Sequence, residues 1–98
     1  MSVRIDLPDE VLVQEFLEQD RGLLCDLLKQ RYGNIIFHKC EGFSENFNCA
    51  KQLTQEVMAE LCKRLPDYPS EGRFATWMYT EVYNQAAEYL RLRYYETL

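Results

Sequence analysis

The chain holds one histidine, one tryptophan, three prolines and four glycines in 98 residues, and it has no excess of positive charge. A single histidine, with no glycine-rich phosphate loop and no Ser/His/Asp arrangement, leaves no nucleophile-and-base pair, so an enzyme is not expected. Sixteen Asp and Glu supply carboxylates, but these fall on polar helical faces rather than in a cluster. No apolar run approaches the ~20 residues of a membrane helix. The N-terminus also lacks the basic-then-apolar order of a secretory signal, so a soluble, cytoplasmic protein without membrane contact is expected. The four cysteines, Cys25, Cys40, Cys49 and Cys62, show no Cys-x-x-Cys pair, and His38-x-Cys40 adds no zinc spacing. No metal and no cofactor are expected. Without a secretory signal, and with Cys25 and Cys62 inside helical patterns, the cysteines read as reduced, buried thiols.

What is present is an aromatic-rich, acidic chain. Seven Tyr and five Phe accompany the tryptophan, apolar residues make up 47%, and the net charge is −5. Such a composition suits one globular domain, taken here as residues 1–98. The overall charge does not suit a free-standing nucleic-acid binder, but its distribution is uneven. Residues 1–62 carry six Lys/Arg against eleven Asp/Glu, whereas residues 63–98 carry five of each. The second half is therefore not repulsive overall to a polyanion.

Helical periodicity runs through most of the chain, and no strand pattern or internal repeat interrupts it. Ser2 to Asp6 reads as a frayed start. Leu7-Pro8-Asp9-Glu10 opens a first helix, with Leu12, Val13, Phe16 and Leu17 on one face and an end near Gln19. Asp20 is placed to cap a second helix bearing Leu23/Leu24, Leu27/Leu28, Tyr32 and Ile35/Ile36, with Gly33 as a point of possible bending. Glu41 to Phe47 reads as a loop. Asn48 is the expected cap of a third helix with Leu53, Val57, Leu61 and Leu65 at i, i+4 spacing. Leu65 to Gly72, with two prolines and a glycine, must turn. A fourth helix opens near Arg73 and runs to about Tyr95. The predicted fold is an all-α small bundle of about four helices with short connections.

Four pieces in register carry a family resemblance. Ala50-Lys51-Gln52-Leu53-Thr54-Gln55-Glu56-Val57, followed by Gly72-Arg73-Phe74-Ala75-Thr76-Trp77-Met78-Tyr79, then Asn84 and Glu88-Tyr89-Leu90-Arg91, resembles region 2 of bacterial sigma factors. The similarity is closest to the extracytoplasmic-function (ECF) group. Asp9-Glu10, Leu12-Val13, Phe16-Leu17 and Leu27 with Arg31-Tyr32 fit the start of the same domain. The resemblance implies a sigma region-2 bundle that docks on the clamp helices of the RNA polymerase β′ subunit through the third helix. The candidate docking residues are Gln52, Leu53, Gln55, Glu56 and Glu60. It further implies that the Pro66–Arg73 loop and the last helix engage the promoter −10 element in the polymerase complex. The candidate DNA residues are Arg73, Phe74, Thr76, Trp77, Asn84, Arg91 and Arg93. An anti-sigma factor is a further partner the family implies. The second helical domain that reads the −35 element in ECF factors has no counterpart in these residues.

Structural readings stand beside these. Phe74 and Trp77, one helical turn apart, suit a core as well as a recognition surface, and Trp77 is better placed in the core. Gln55 and Glu56 suit an ordinary solvated face, Asn84 a plain polar position, and Arg91 and Arg93 complement a helix C-terminus without DNA. Tyr83, Tyr94 and Tyr95 suit an interface cover. Cys49, Lys51 and Gln52 replace residues that are often acidic in the family, and Leu92 replaces a basic one. Glu81 on a DNA-facing surface would repel phosphate. That feature and the acidic balance suit a sigma-like decoy or regulator that binds polymerase or an anti-sigma factor without opening DNA. A structural bundle with idle ancestry is the other alternative.

Overall fold

The computed structural model describes residues 7–96, with side chains up to residue 93. The expected fray at residues 2–6 and the side chains of Tyr94 and Tyr95 lie outside the described residues. The chain forms helices α1 (Asp9–Phe16), α2 (Arg21–Glu41), α3 (Phe47–Arg64) and α4 (Phe74–Glu96), with a 3-10 turn at Leu65–Asp67 before α4. No strand occurs among the described residues. The all-α bundle of four helices is therefore observed.

Local chemistry sets the helix starts. Asp20 has non-helical backbone, and its carboxylate accepts from the Leu23 N–H at 3.0 Å, which satisfies a donor that the first turn of α2 leaves open. Pro8 precedes α1, whose first turn carries Asp9 and Glu10 at the positive end of the helix dipole. The cap of α3 is Asn46 rather than the expected Asn48: its side-chain oxygen accepts from Cys49 N–H at 2.9 Å. The loop before α3 is accordingly two residues shorter than the Glu41–Phe47 reading, because Glu41 and Phe47 are both helical. Gly33 does not break α2, and the helix continues unbroken to Glu41.

The core lies where the inward faces meet. Leu12, Val13 and Phe16 of α1 join Leu24, Leu28, Ile36 and Cys40 of α2. Leu53, Val57, Met58 and Leu61 of α3, with Leu65, close on Phe74, Met78, Val82 and Ala86 of α4. Each fully buried leucine contributes ~1.5–3 kcal/mol relative to an exposed one. The α3 helix packs between α2 and α4, and α1 lies across α2 and α4. α2 and α4 meet through aromatic side chains. The Tyr32 and Tyr79 rings meet edge-on at 6.2 Å, and Lys39 Nζ sits 4.9 Å from the Tyr79 ring and 5.3 Å from that of Tyr83.

One sequence expectation is overturned here. Cys25 of α2 and Cys62 of α3 are paired in a disulfide rather than held as separate thiols. The two helices present these positions to each other with Cα atoms 5.9 Å apart, inside the span a disulfide bridges. Cys40 and Cys49 are free. Burial pushes the Cys40 thiol up, as befits a buried apolar-like residue.

Candidate functional site

The turn after α3 is a built loop. The 3-10 turn at Leu65–Asp67 carries Pro66, and Ser70 and Gly72 both adopt positive φ, at 62° and 74°. Glycine takes that conformation without steric cost, whereas Ser70 takes it against its Cβ. The loop is fastened from both sides. The Tyr68 hydroxyl donates to the Gly72 carbonyl at 2.9 Å, and the Phe74 N–H donates to Glu10 Oε2 of α1 at 2.6 Å. Glu10 thus caps α4 from 64 residues away. Burial, with Glu10 and Asp9 nearby, raises the Tyr68 hydroxyl above its ordinary value and keeps it a donor.

Three rings stiffen the start of α4. Tyr68, Phe74 and Trp77 pack with centroids 5.3, 5.6 and 5.7 Å apart. Phe74 is fully buried at the centre, and Trp77 is half-buried at the margin. Phe74 therefore offers no ring face to a partner in this fold; its place is the core. Trp77 keeps an exposed rim.

The other candidate DNA residues follow one line. Arg73, Thr76, Asn84 and Arg91 are exposed and, with Thr80 and Ala87, recur every three or four residues along α4. At 1.5 Å per residue that stripe extends for roughly 27 Å. Its two ends differ in surroundings. Arg73 opens on a hollow of about 490 Å³ at the junction of α1, α2 and α4, whose other lining includes Asp9, Glu10, Arg31 and Tyr32. Arg91 is held by Glu88 through bonds of 2.6 and 3.1 Å, which lowers the Glu88 carboxyl and raises the Arg91 guanidinium. Arg93 lies off the stripe, donating to the Tyr89 hydroxyl at 2.8 Å.

The α3 candidates divide in the same way. Gln52, Gln55 and Glu56 are exposed and share one face. Leu53 is fully buried and anchors the helix from behind, so its side chain does not reach the surface. Glu60 is turned to its own helix, with Arg64 at 3.2 Å and Lys63 at 3.8 Å. Arg64 also approaches Glu81 of α4 at 3.8 Å. Glu81, only 18% exposed, thus faces α3 and belongs to an ion-pair chain that ties two helices. It does not stand on the exposed stripe.

Below the loop, Arg31 donates to Asp9 at 2.7 Å and the Tyr32 hydroxyl donates to the same carboxylate. Burial first, and then the Asp9 carboxylate, push the Tyr32 hydroxyl far above the ordinary phenol range. This network fixes α1 on α2 and so places Glu10. Sequence reading missed Glu10 as a cap and Tyr68 as a loop fastener. The capping signal for α4 lies on another helix, and the tyrosine sits inside a Pro/Gly-rich turn that reads only as a turn.

No helix is long and apolar enough to cross a membrane among the described residues. No curated protein and no solved structure matches the chain. A family model for sigma-70 region 2 matches residues 28–94, from the first third of α2 through nearly all of α4. The matched span contains the α3 face, the fastened loop and the α4 stripe, and the chain belongs to the sigma-70 region 2 family.

Proposed function

We propose that this domain is a non-enzymatic transcription-initiation module of the ECF type. It docks on the β′ clamp of RNA polymerase through the exposed α3 face of Gln52, Gln55 and Glu56. It engages the −10 element through the Pro66–Arg73 loop and the exposed Arg73, Thr76 and Asn84 of α4. The observation that carries the reading is the α3 face. Its polar groups make no hydrogen bond or ion pair among the described residues, while the apolar side of the same helix is fully committed to the core. Polar groups presented on a rigid helix suit a charged partner surface, where complementarity sets register and association rate. Glu60 is assigned to the helix rather than to the partner because Arg64 and Lys63 hold it.

The competing reading, a decoy that binds polymerase without opening DNA, drew on Glu81 as a repulsive group and on the acidic balance. Glu81 is turned to Arg64, so only the net charge of −5 still speaks for it. The test is capture by core RNA polymerase of the wild-type chain against Gln55→Ala/Glu56→Ala. Both positions are exposed within a helix, so the variant should fold normally. Capture of the wild type and its loss in the variant is the expected result. Failure of the wild type to bind core polymerase would refute the proposal.

A further inference from the structure

We propose that Cys25 and Cys62 form a reversible thiol–disulfide site whose oxidised state tightens docking through the α3 face. The inference rests on the polymerase-docking reading above and adds a chemical input to it. Three observations carry it. First, the two cysteines belong to one ladder across the α2–α3 seam. Cys25, Lys29 and Gly33 recur at i, i+4 and i+8 on α2, and Cys62, Met58 and Gln55 run back along α3. Lys29, Gly33, Gln55, Met58 and Cys62 line one groove of about 360 Å³. Second, Gly33 supplies no side chain, and a Cβ there would meet nothing within 4 Å, so the groove stays open beside Gln55. The covalent tie closes the seam at one end. Third, Cys25 and Cys62 are half-buried and Cys62 lines the groove, whereas Cys40 is wholly buried with its thiol pushed up. Cys49 lies at the opposite end of α3, roughly 20 Å away along the helix axis. Selectivity for the Cys25–Cys62 pair follows from this placement.

The oxidant class is a low-molecular-weight disulfide. One protein thiolate attacks a sulfur of that disulfide, forming a mixed disulfide and expelling one small thiolate. The second protein thiolate attacks the protein sulfur of the mixed disulfide, forming the Cys25–Cys62 bond and expelling the other. The two protons lost by the cysteines end on the two released thiols. The protein is oxidised by two electrons and the small disulfide is reduced by two. Bonding fixes the separation of α2 and α3 at this end of the groove. Two unbonded thiols require van der Waals separation and leave the helices freer to shift. A face fixed in its docking geometry binds more tightly because less ordering is left to the moment of association.

The experiment prepares the full chain fully reduced, oxidises half of it with glutathione disulfide, and desalts both before adding core RNA polymerase. Maleimide labelling should count four thiols in the reduced chain and two in the oxidised chain, matching the four cysteines and the single pairing. Peptide mapping should locate the link at Cys25–Cys62. The oxidised chain should bind core polymerase about three- to tenfold more tightly, the range a preorganised surface can supply. Cys25→Ser/Cys62→Ser should bind like the reduced wild type before and after oxidant. Absence of the link, or equal or weaker binding by the oxidised chain, overturns the inference. Reduced wild type that binds polymerase, while Gln55→Ala/Glu56→Ala does not, shows that the docking reading survives such a failure. No binding by either redox form overturns both.

Discussion

Replacing Glu10 by alanine tests the link between α1 and the start of α4. The Glu10 carboxylate accepts the Phe74 N–H at 2.6 Å in a partly buried setting. A hydrogen bond to a charged group contributes about 1.5–3 kcal/mol, and loss of an ordinary N-cap costs ~1 kcal/mol. The carboxylate also faces the positive end of the α4 dipole, which adds to the bond's strength. Glu10→Ala should therefore lose about 2 kcal/mol. With a urea dependence of about 1 kcal/mol per molar, typical of small domains, the midpoint should fall by about 2 M. Glu10→Gln keeps an accepting oxygen but drops the charge, and should lose about half as much. Amide hydrogen exchange gives a local reading: the Phe74 N–H should lose protection first, ahead of the α3 core. Under the proposed function, Glu10→Ala should impair promoter opening while leaving clamp binding intact, since Glu10 bonds to the start of α4 and not to α3. A Glu10→Ala chain within about 0.5 kcal/mol of wild type, with Phe74 protection unchanged, would refute the reasoning.

Tyr32 makes stability depend on alkaline pH. Its folded-state value is raised, so its contribution is complete below about pH 10, the ordinary phenol value, and is lost as pH rises through the folded value. Urea midpoints measured from about pH 9 to 11 should fall more steeply for wild type than for Tyr32→Phe; parallel profiles would contradict the burial of the Tyr32 hydroxyl beside Asp9. Under oxidising conditions Cys25→Ser/Cys62→Ser should lose about 2–4 kcal/mol, the chain-entropy expectation for cysteines 37 residues apart. Excess reductant should bring the wild type to the same urea midpoint, and a midpoint indifferent to reductant would exclude the disulfide. Phe74→Ala should cost about 3–5 kcal/mol as a core truncation. Arg73→Ala and Thr76→Ala should stay within about 0.5 kcal/mol in the same urea titration. A mild Phe74→Ala would mean that the ring is not in the core.

Helical period and turn chemistry carried most of the fold because they are local properties. The stripe Leu53, Val57, Leu61 and Leu65 is buried as its spacing requires. Asp20 caps α2 because its side chain need reach only three residues ahead. The shift from Asn48 to Asn46 shows the limit of that logic: two asparagines, two residues apart, offer the same signal, and side-chain reach selects one. What was not legible depends on which faces meet. The Glu10 bond to Phe74 spans 64 positions, and the Cys25–Cys62 pairing needs the α2–α3 register. Glu81 illustrates the reverse error. A carboxylate on the last helix looks exposed in the sequence until Arg64 of α3 is placed beside it.

The burial of Phe74 limits the part proposed for the Pro66–Arg73 loop. A ring that holds Tyr68 and Trp77 in place is a poor platform for a flipped base, since offering its face would open the core. The exposed shell is Pro66, Asp67, Pro69, Ser70, Glu71, Gly72 and Arg73, with the rim of Trp77 behind it. Under the proposed function this shell would meet a base through polar contacts, with the rings of Tyr68, Phe74 and Trp77 packed beneath it. Its charges, Asp67 and Glu71 against Arg73, leave the loop acidic on balance. A loop of that charge gains little from phosphate, so the isolated domain should show weak, nearly salt-independent attraction to DNA. Under the proposed function the polymerase brings the strand to the loop, which makes the α3 contact a precondition of promoter reading rather than a parallel function. Tight, strongly salt-dependent binding of duplex DNA by the isolated chain would reverse that order.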